Sequence, residues 1–149
     1  MINPFDDVYF MKKALDEAAI ALDKGEVPVG AIIVFKDQII ARAHNLTETL
    51  NDVTAHAEMQ AFTAAADYLG GKYLKDCTLY VTLEPCQMCA GASYWTQIGK
   101  IVYGASELER GFIKLKTTIH PKTKVVGGIL ENDCSSLLKR FFIEKRNLN

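Results

Sequence analysis

Apolar positions in the first part of the chain change from a helical spacing to a strand-like one. Residues 6–24 carry apolar side chains at alternating steps of three and four, with charged residues largely between them, which predicts one amphipathic helix. Gly25 can end this helix, and Pro28 prevents its continuation. Two short apolar runs follow at 29–35 and 38–43, and the two residues between them predict a hairpin.

The rest of the chain alternates between the same two patterns. Further elements are predicted as helices at 55–69, from Pro85 onward and at 133–146, and as strands at 78–83, 100–105 and 124–127. Strands that are nearly all apolar are typical of a sheet covered on both sides. We therefore predict one α/β domain over residues 1–149, with a central five-stranded mixed sheet and helices on both faces.

Composition narrows the classes of function and location. A formal net charge of -1 does not indicate a general polyanion binder, so any contact with nucleic acid needs a local basic patch. The N-terminus is acidic where a signal peptide is basic, and no apolar run approaches the roughly 18 residues of a membrane span. The four cysteines do not resemble a secreted disulfide framework, so we expect a cytoplasmic protein.

Two short motifs carry the candidate chemistry, His56-Ala57-Glu58 and Pro85-Cys86-Gln87-Met88-Cys89. One imidazole and two thiolates suit a tetrahedral zinc ion, and three protein ligands leave a fourth position for water, as in catalytic zinc sites. Zinc lowers the pKa of such a water to roughly 7. We therefore predict His56, Cys86 and Cys89 as zinc ligands and Glu58 as the group that moves protons.

Both motifs are predicted at the start of a helix. Residues two apart on a helix point about 200° away from each other, so His56 and Glu58 can address one pocket only where the first turn is open. Pro85 suits a helix start, which places Cys86 and Cys89 on one face. The partial positive charge of helix N-termini favours thiolates, and two helix starts would then hold one ion.

Two other interpretations of the motifs stay open. A purely structural zinc site needs a fourth protein ligand, and the candidates are Cys77, Cys134, His44 and His120. A C-x-x-C pair can also be a redox pair. Both interpretations leave Glu58 and Pro85 without a role, apart from that of a first-turn carboxylate in stabilising a helix start.

The order H-x-E and then P-C-x-x-C is the signature of zinc nucleobase deaminases. The chain resembles the cytidine deaminase-like superfamily and, over nearly its whole length, the bacterial tRNA-specific adenosine deaminases. The stretches that carry this resemblance are 25–31, 43–45, 54–58, 78–86, 85–91 and 102–105. It implies a three-layer α/β/α cytidine deaminase-like fold and a hydrolase that converts the wobble adenosine of a tRNA anticodon loop to inosine.

The resemblance also implies roles for individual residues. One zinc ion per subunit is expected on His56, Cys86 and Cys89, with Glu58 as the proton shuttle. Further expectations are that Asn45 hydrogen-bonds the flipped nucleotide, that Val29 and Ala55 line the base pocket, and that the chain forms a homodimer whose facing helices frame the RNA site.

One segment departs from the family pattern. Residues 106–124 replace a typical Gly/Ser-rich stretch that is expected to border the RNA. Two alternatives therefore stay open, namely a deaminase of a free base or nucleoside such as guanine, cytosine or cytidine, and a zinc-stabilised RNA-binding protein without turnover.

Two basic clusters can contact RNA or form solvated surface, and they consist of Arg110, Lys114, Lys116, Lys122 and Lys124, and of Lys139, Arg140, Lys145 and Arg146. Phe141 and Phe142 can offer a stacking face or belong to the core.

Overall fold

The helices and strands follow the predicted order along the chain. A computed structural model describes residues 3–147. Its elements are α1 (Asp7–Asp23), β1 (Gly30–Phe35), β2 (Gln38–His44), α2 (Ala57–Leu69), β3 (Cys77–Leu83), α3 (Gln87–Thr96), β4 (Lys100–Ala105), β5 (Lys124–Val126) and α4 (Glu131–Asn147). Most boundaries differ from the predicted ones by one or two residues, which is the usual uncertainty at element ends.

The five strands form one mixed sheet in the order β2-β1-β3-β4-β5. β1 pairs antiparallel with both β2 and β3, whereas β3, β4 and β5 run parallel to one another. The β1–β2 hairpin turns at Lys36 and Asp37, which have φ angles of 51° and 61°. Two successive positive φ angles match the turn type whose twist suits a two-residue hairpin.

Helices cover both faces of the sheet, so the predicted α/β/α architecture is confirmed. α1 and α4 pack on one face, and α2 and α3 pack on the other. Successive residues of β1 point to opposite sides: Ile32 belongs to the apolar cluster under α1 and α4, and Ile33 to the cluster under α2 and α3. Burial on both sides explains why the strands are nearly all apolar.

The strand ends that lead to the two motifs lie at the same end of the sheet. The register pairs Gly30 at the start of β1 with His44 at the end of β2, and Leu83 at the end of β3 with Ala105 at the end of β4. α2 and α3 also begin near this end, because each follows the loop that leaves it. Within residues 3–147, no helix is long and apolar enough to cross a membrane.

Candidate metal centre and substrate cavity

His56 and Cys86 occupy equivalent places at the starts of two helices. α2 begins at Ala57 and not at residue 55 as predicted. His56 is the N-cap of this helix. Cys86 is the N-cap of α3. Both residues have extended backbones, with φ and ψ of -70° and 154° for His56 and of -72° and 175° for Cys86. Neither side chain caps its own helix, so both are free to face the cavity.

The predicted ligands lie together in the structure. The Nδ1 atom of His56 is 3.6 Å from the Sγ atom of Cys86 and 3.5 Å from that of Cys89. The three ligand atoms all lie within 4.8 Å of one another, so the group can hold a metal ion. The side-chain amide of Gln60 donates to the carbonyls of His44 and His56, which ties the start of α2 to the end of β2.

The candidate fourth ligands of a structural site lie elsewhere or have other partners, and the Nδ1 atom of His120 accepts from the Lys122 N–H at 3.2 Å. Cys77 and Cys134 are buried in the two separate apolar clusters. His44 contacts the carboxylate of Glu17 at 3.1 Å and the Nζ atom of Lys24 at 3.0 Å. Among residues 3–147, the metal-binding group contains His56, Cys86 and Cys89 alone. An open fourth position is typical of a catalytic metal site.

Hydrogen bonds within the cluster favour the thiolate of Cys86. A hydrogen bond from Cys89, assisted by one from His56, lowers the pKa of Cys86 to about 4 despite its burial. The same bond raises the pKa of Cys89, and contact with Cys86 raises the pKa of His56. Because metal ligands must be deprotonated, binding of an ion should release protons from this cluster.

Glu58 is a buried carboxyl group beside the cluster, with only 4% of its surface exposed. Burial raises its pKa to about 7, and the negative charge of Cys86 acts in the same direction. A cation held by the neighbouring ligands would favour the carboxylate and lower this pKa. Its place in the cavity beside the metal-binding group allows Glu58 to exchange protons with a bound water or substrate.

A cavity of about 470 Å³ opens over both motifs, and its lining includes His56, Glu58 and Cys86. Val29 and Asn45 line it as well. The side chain of Asn45 accepts from the backbone N–H of Thr47 at 3.3 Å and donates to the Val27 carbonyl at 3.4 Å. Ala55 is buried but is not among the lining residues, so its predicted contact with the base stays a prediction.

Part of the cavity lining comes from the loop after β4 and from α4. Arg110 is the member of the two basic clusters that lines the cavity. Arg140 pairs instead with Glu144 on the surface of α4 at 3.1 Å. The two phenylalanines separate: Phe141 is buried, whereas Phe142 is 50% exposed and lines the cavity. Of the two alternatives for these residues, Phe141 belongs to the core and Phe142 is available for stacking, because adjacent helical positions differ by about 100°.

No role was predicted from the sequence for two buried glutamates near the cavity, Glu26 and Glu84. Glu26 accepts hydrogen bonds from the backbone N–H groups of Glu48 and Thr49 and from the Thr49 hydroxyl. Glu84 accepts from the backbone N–H groups of Glu107 and Ile113. The sequence carries only a weak signal for them, since each glutamate lies within two residues of a proline between apolar segments.

The substitution Glu26→Gln is expected to destabilise the protein by about 1 kcal/mol or more near neutral pH, because a partly buried backbone N–H group loses its acceptor. Burial alone would raise the pKa of Glu26, but the hydrogen bonds from Thr49 and Glu48 outweigh it and lower that pKa. The wild-type carboxylate therefore stabilises above its unfolded pKa of about 4.3, and this contribution is lost as the pH falls through the lower folded value.

Urea unfolding from about pH 7 to about pH 3 measures this effect. The difference between Glu26→Gln and wild type should shrink toward the acid end of the series. Glu48→Gln serves as the control, because Glu48 is exposed in the same loop. A constant difference across the series would contradict the assigned role of Glu26.

Comparisons with known proteins agree with this geometry. The family model of the MafB19-like deaminases matches residues 5–147. A tRNA-specific adenosine deaminase of Bacillus subtilis is 44% identical over 146 residues, which cover 94% of this chain and 91% of that protein. A structure from a study of A-to-I editing by tRNA:A34 deaminases superposes with a TM-score of 0.82 and 39% identity, over 87% of this chain and 99% of the other.

A guanine deaminase from Bacillus subtilis is similar over a smaller part of the chain. It has a TM-score of 0.62 and 42% identity, and the match covers 65% of this chain and 62% of the other. The tRNA deaminase from Bacillus subtilis and the tRNA:A34 deaminase structure are matched over 91% and 99% of their own length. The chain therefore belongs to the family of the tRNA-specific adenosine deaminases.

Proposed function

We propose that the protein is a zinc-dependent hydrolase that converts the wobble adenosine of a tRNA anticodon loop to inosine and releases ammonia. The observation that carries the proposal is that one cavity joins His56 and Cys86 of the metal-binding group to the buried carboxyl group of Glu58. The names of the tRNA deaminases that are 44% and 39% identical to this chain support the same substrate.

The spacing of the donor atoms suits zinc. Bonds of about 2.0 Å to nitrogen and about 2.3 Å to sulfur, held at tetrahedral angles, separate the two atoms by about 3.5 Å. The distances from His56 Nδ1 to the two sulfur atoms are 3.6 and 3.5 Å. When bound, zinc supplies a Lewis acid that makes water nucleophilic near neutral pH.

Glu58 would carry both proton transfers of the reaction. It accepts a proton from the water as the oxygen atom bonds to C6 of adenine, and it passes that proton to the ring nitrogen beside C6. It then moves the second proton to the amine, so that the C6–N bond breaks and ammonia departs. Water and adenosine thus yield inosine and ammonia. This role requires Glu58 to stay off the metal.

The walls of the cavity would hold the flipped base. Asn45 offers a side-chain amide and Val29 an apolar contact, and both line the cavity. Ala55 would support this wall from behind, because its carbonyl accepts a hydrogen bond from the Leu46 N–H at 3.0 Å. Bases of an anticodon loop are unpaired and can be splayed out at modest cost, which makes a loop a better substrate than a duplex.

Arg110 and Phe142 are the residues best placed to contact the flanking RNA. Both line the cavity, one with a guanidinium group and the other with a half-exposed ring. A guanidinium group can bind a phosphate, and an aromatic ring can stack on a neighbouring base. The remaining basic residues of the two clusters do not line the cavity, so we propose a small footprint centred on the loop nucleotides.

Incubation with an anticodon stem-loop that carries a wobble adenosine tests the proposal. Guanine, cytosine, cytidine and adenosine form the comparison panel, and the same RNA sequence annealed into a duplex is the structural control. Inosine in the stem-loop but not in the duplex is expected. Ammonia from guanine alone would favour the guanine deaminase alternative, which the partial structural similarity motivates. No product from any substrate would contradict both.

We also propose that the chain works as a homodimer through the face of α2 and α3. Trp95 is 77% exposed at the end of α3, and Tyr68 on α2 and Tyr94 are further exposed aromatic residues on this face. The rings of Tyr94 and Trp95 contact each other, with centroids 5.5 Å apart, and a contiguous exposed apolar patch often marks an interaction site. A second copy that covers this patch would bury it without covering the α1 and α4 face.

The substitution Trp95→Asp is therefore expected to shift the protein from dimer to monomer. The physical reason is that a buried, unpaired carboxylate at an interface costs several kcal/mol. Light scattering coupled to size exclusion measures the molar mass. Ile20→Asp is the control, because Ile20 is exposed on α1 at the opposite face of the sheet. A monomeric wild type, or a dimer that survives Trp95→Asp, would contradict this interface.

We propose a cytoplasmic location for the protein. All four cysteines, Cys77, Cys86, Cys89 and Cys134, are free thiols. Free thiols and a thiolate metal site are typical of a reducing compartment, and a tRNA substrate is available there.

A further inference from the structure

The loop of residues 106–113 forms one wall of the cavity, although it contains neither a helix nor a strand. Ser106, Glu107 and Arg110 all line the cavity from this loop. It leads away from the end of β4, whereas Val29 and Asn45 lie next to the ends of β1 and β2. Its shape therefore decides where these three side chains meet a substrate.

Glu84 holds both ends of the 106–113 loop. The residue lies between the end of β3 and Pro85, and only 4% of its surface is exposed. One carboxylate oxygen accepts from the backbone N–H of Glu107 at 3.1 Å, and the other accepts from that of Ile113, also at 3.1 Å. Hydrogen bonds to an ionised carboxylate are roughly twice as strong as neutral ones.

The loop also packs directly against the turn that carries Cys86. Gly111 forms an isolated β-bridge with Cys86, and the N–H of Phe112 donates to the Pro85 carbonyl at 3.0 Å. A Cβ atom at Gly111 would overlap the carboxylate of Glu84, so only glycine fits without a shift. The metal ligand and the cavity wall thus share one rigid support.

A second buried glutamate, Glu26, binds the backbone N–H groups of another loop at the cavity. The arrangement at Glu84 is therefore not an isolated contact. The carboxylate of Glu26 accepts from the N–H groups of Glu48 and Thr49 at 3.0 and 2.7 Å. The loop that it holds includes Thr47, which lines the cavity. Glu84 binds only backbone N–H groups, and Glu26 binds backbone N–H groups and one hydroxyl. The two carboxylates therefore fix the conformation of a loop and do not neutralise a positive charge.

We propose that Glu84 is a positioning residue that fixes the 106–113 loop as a substrate-facing wall and keeps it in register with the metal ligand Cys86. The inference rests on the proposed function and adds that the 106–113 loop, held by Glu84, aligns the substrate. The loop side chains meet the RNA that flanks the flipped nucleotide, while Glu58 acts on the base. Loosening the loop should therefore weaken substrate binding more than it slows the chemistry.

The substitution Glu84→Gln tests this assignment without changing side-chain size. Glutamine has one acceptor oxygen, so its NH₂ group would face one of the two backbone N–H donors. The KM for the stem-loop is expected to rise by about tenfold or more, with kcat within about threefold of wild type and one zinc ion still bound per chain. Hydrogen exchange should quicken at the amides of Glu107 and Ile113.

Tyr80→Phe is the matched control. It removes a buried side-chain hydrogen bond, 2.8 Å from the Tyr80 hydroxyl to Asp7, on the face covered by α1 and α4. It should lower stability without changing the KM or the exchange of the 106–113 loop. An unchanged KM in Glu84→Gln, or an equal rise in Tyr80→Phe, would overturn the proposal.

A second variant covers the case in which Glu84→Gln does not fold. Gly111→Ala keeps both acceptor oxygens of Glu84, but its Cβ atom would overlap that carboxylate and the Glu107 carbonyl. The contact between loop and carboxylate must therefore shift, and the KM should rise in the same way. An unchanged KM in folded Gly111→Ala would also overturn the proposal. Absence of inosine with the wild type would contradict the proposed function alone, whereas unchanged amide exchange in the loop variants would contradict the anchoring role alone.

Discussion

Replacing Glu58 by glutamine is expected to lower kcat on the anticodon stem-loop by about 10³-fold or more, with one zinc ion still bound per chain. Glutamine keeps the size of the buried side chain and its place in the cavity, but it cannot accept and return a proton. General acid–base catalysis by one group contributes about 10²- to 10⁴-fold. Because Glu58 is assigned both transfers, the loss should lie in the upper part of this range.

Metal content distinguishes a proton shuttle from a metal ligand. Elemental analysis of purified Glu58→Gln should give the same zinc content as wild type, since His56, Cys86 and Cys89 form the metal-binding group without Glu58. Glu131→Gln provides the control for an exposed glutamate on α4. Loss of zinc from Glu58→Gln, or a kcat within about tenfold of wild type, would show that the role assigned to Glu58 is wrong.

The substitution Cys86→Ser is expected to remove both bound zinc and detectable turnover. A hydroxyl group is a poor replacement, because zinc binds the thiolate and serine stays protonated near neutral pH. The low pKa of Cys86, about 4, makes it the ligand that is already ionised before a metal arrives. The cluster would be left with two ligands, and deamination should fall by at least about 10³-fold.

The same substitution at the two cysteines outside the metal-binding group, Cys77 and Cys134, serves as the control. Cys77→Ser and Cys134→Ser are expected to lower stability, because both side chains are buried among apolar residues, but to keep one zinc ion per chain. Elemental analysis and the stem-loop assay on all three variants separate the two effects. Retained zinc in Cys86→Ser, or zinc lost from Cys77→Ser, would contradict the ligand assignment.

The overall fold could be predicted from the sequence because its elements carry strong local signals. Lys36-Asp37 lies between two apolar runs, and such a two-residue break permits little other than a hairpin. The apolar strands required cover on both faces, which the helices provide. The start of α2 was harder to place, because alanine has a high helix propensity on both sides of His56 and only tertiary contacts decide where the helix begins.

The metal-binding group could also be predicted, since its chemistry depends on residue types at short spacings. Glu26 and Glu84 could not, because nothing in the sequence shows that a charged side chain between apolar segments turns inward to bind backbone amides. The same limit applied to residues 106–124. Their composition indicated a departure from the family pattern, but the hydrogen bonds that hold residues 106–113 join positions more than 20 residues apart.

A zinc-edge anomalous difference map of crystals of the protein tests the central claim most directly. We expect one peak per chain, bonded to His56 Nδ1 and to the sulfur atoms of Cys86 and Cys89, with no fourth protein ligand and with Glu58 unbonded to the ion. A fourth side chain on the metal, or a bond from Glu58 to it, would contradict the account.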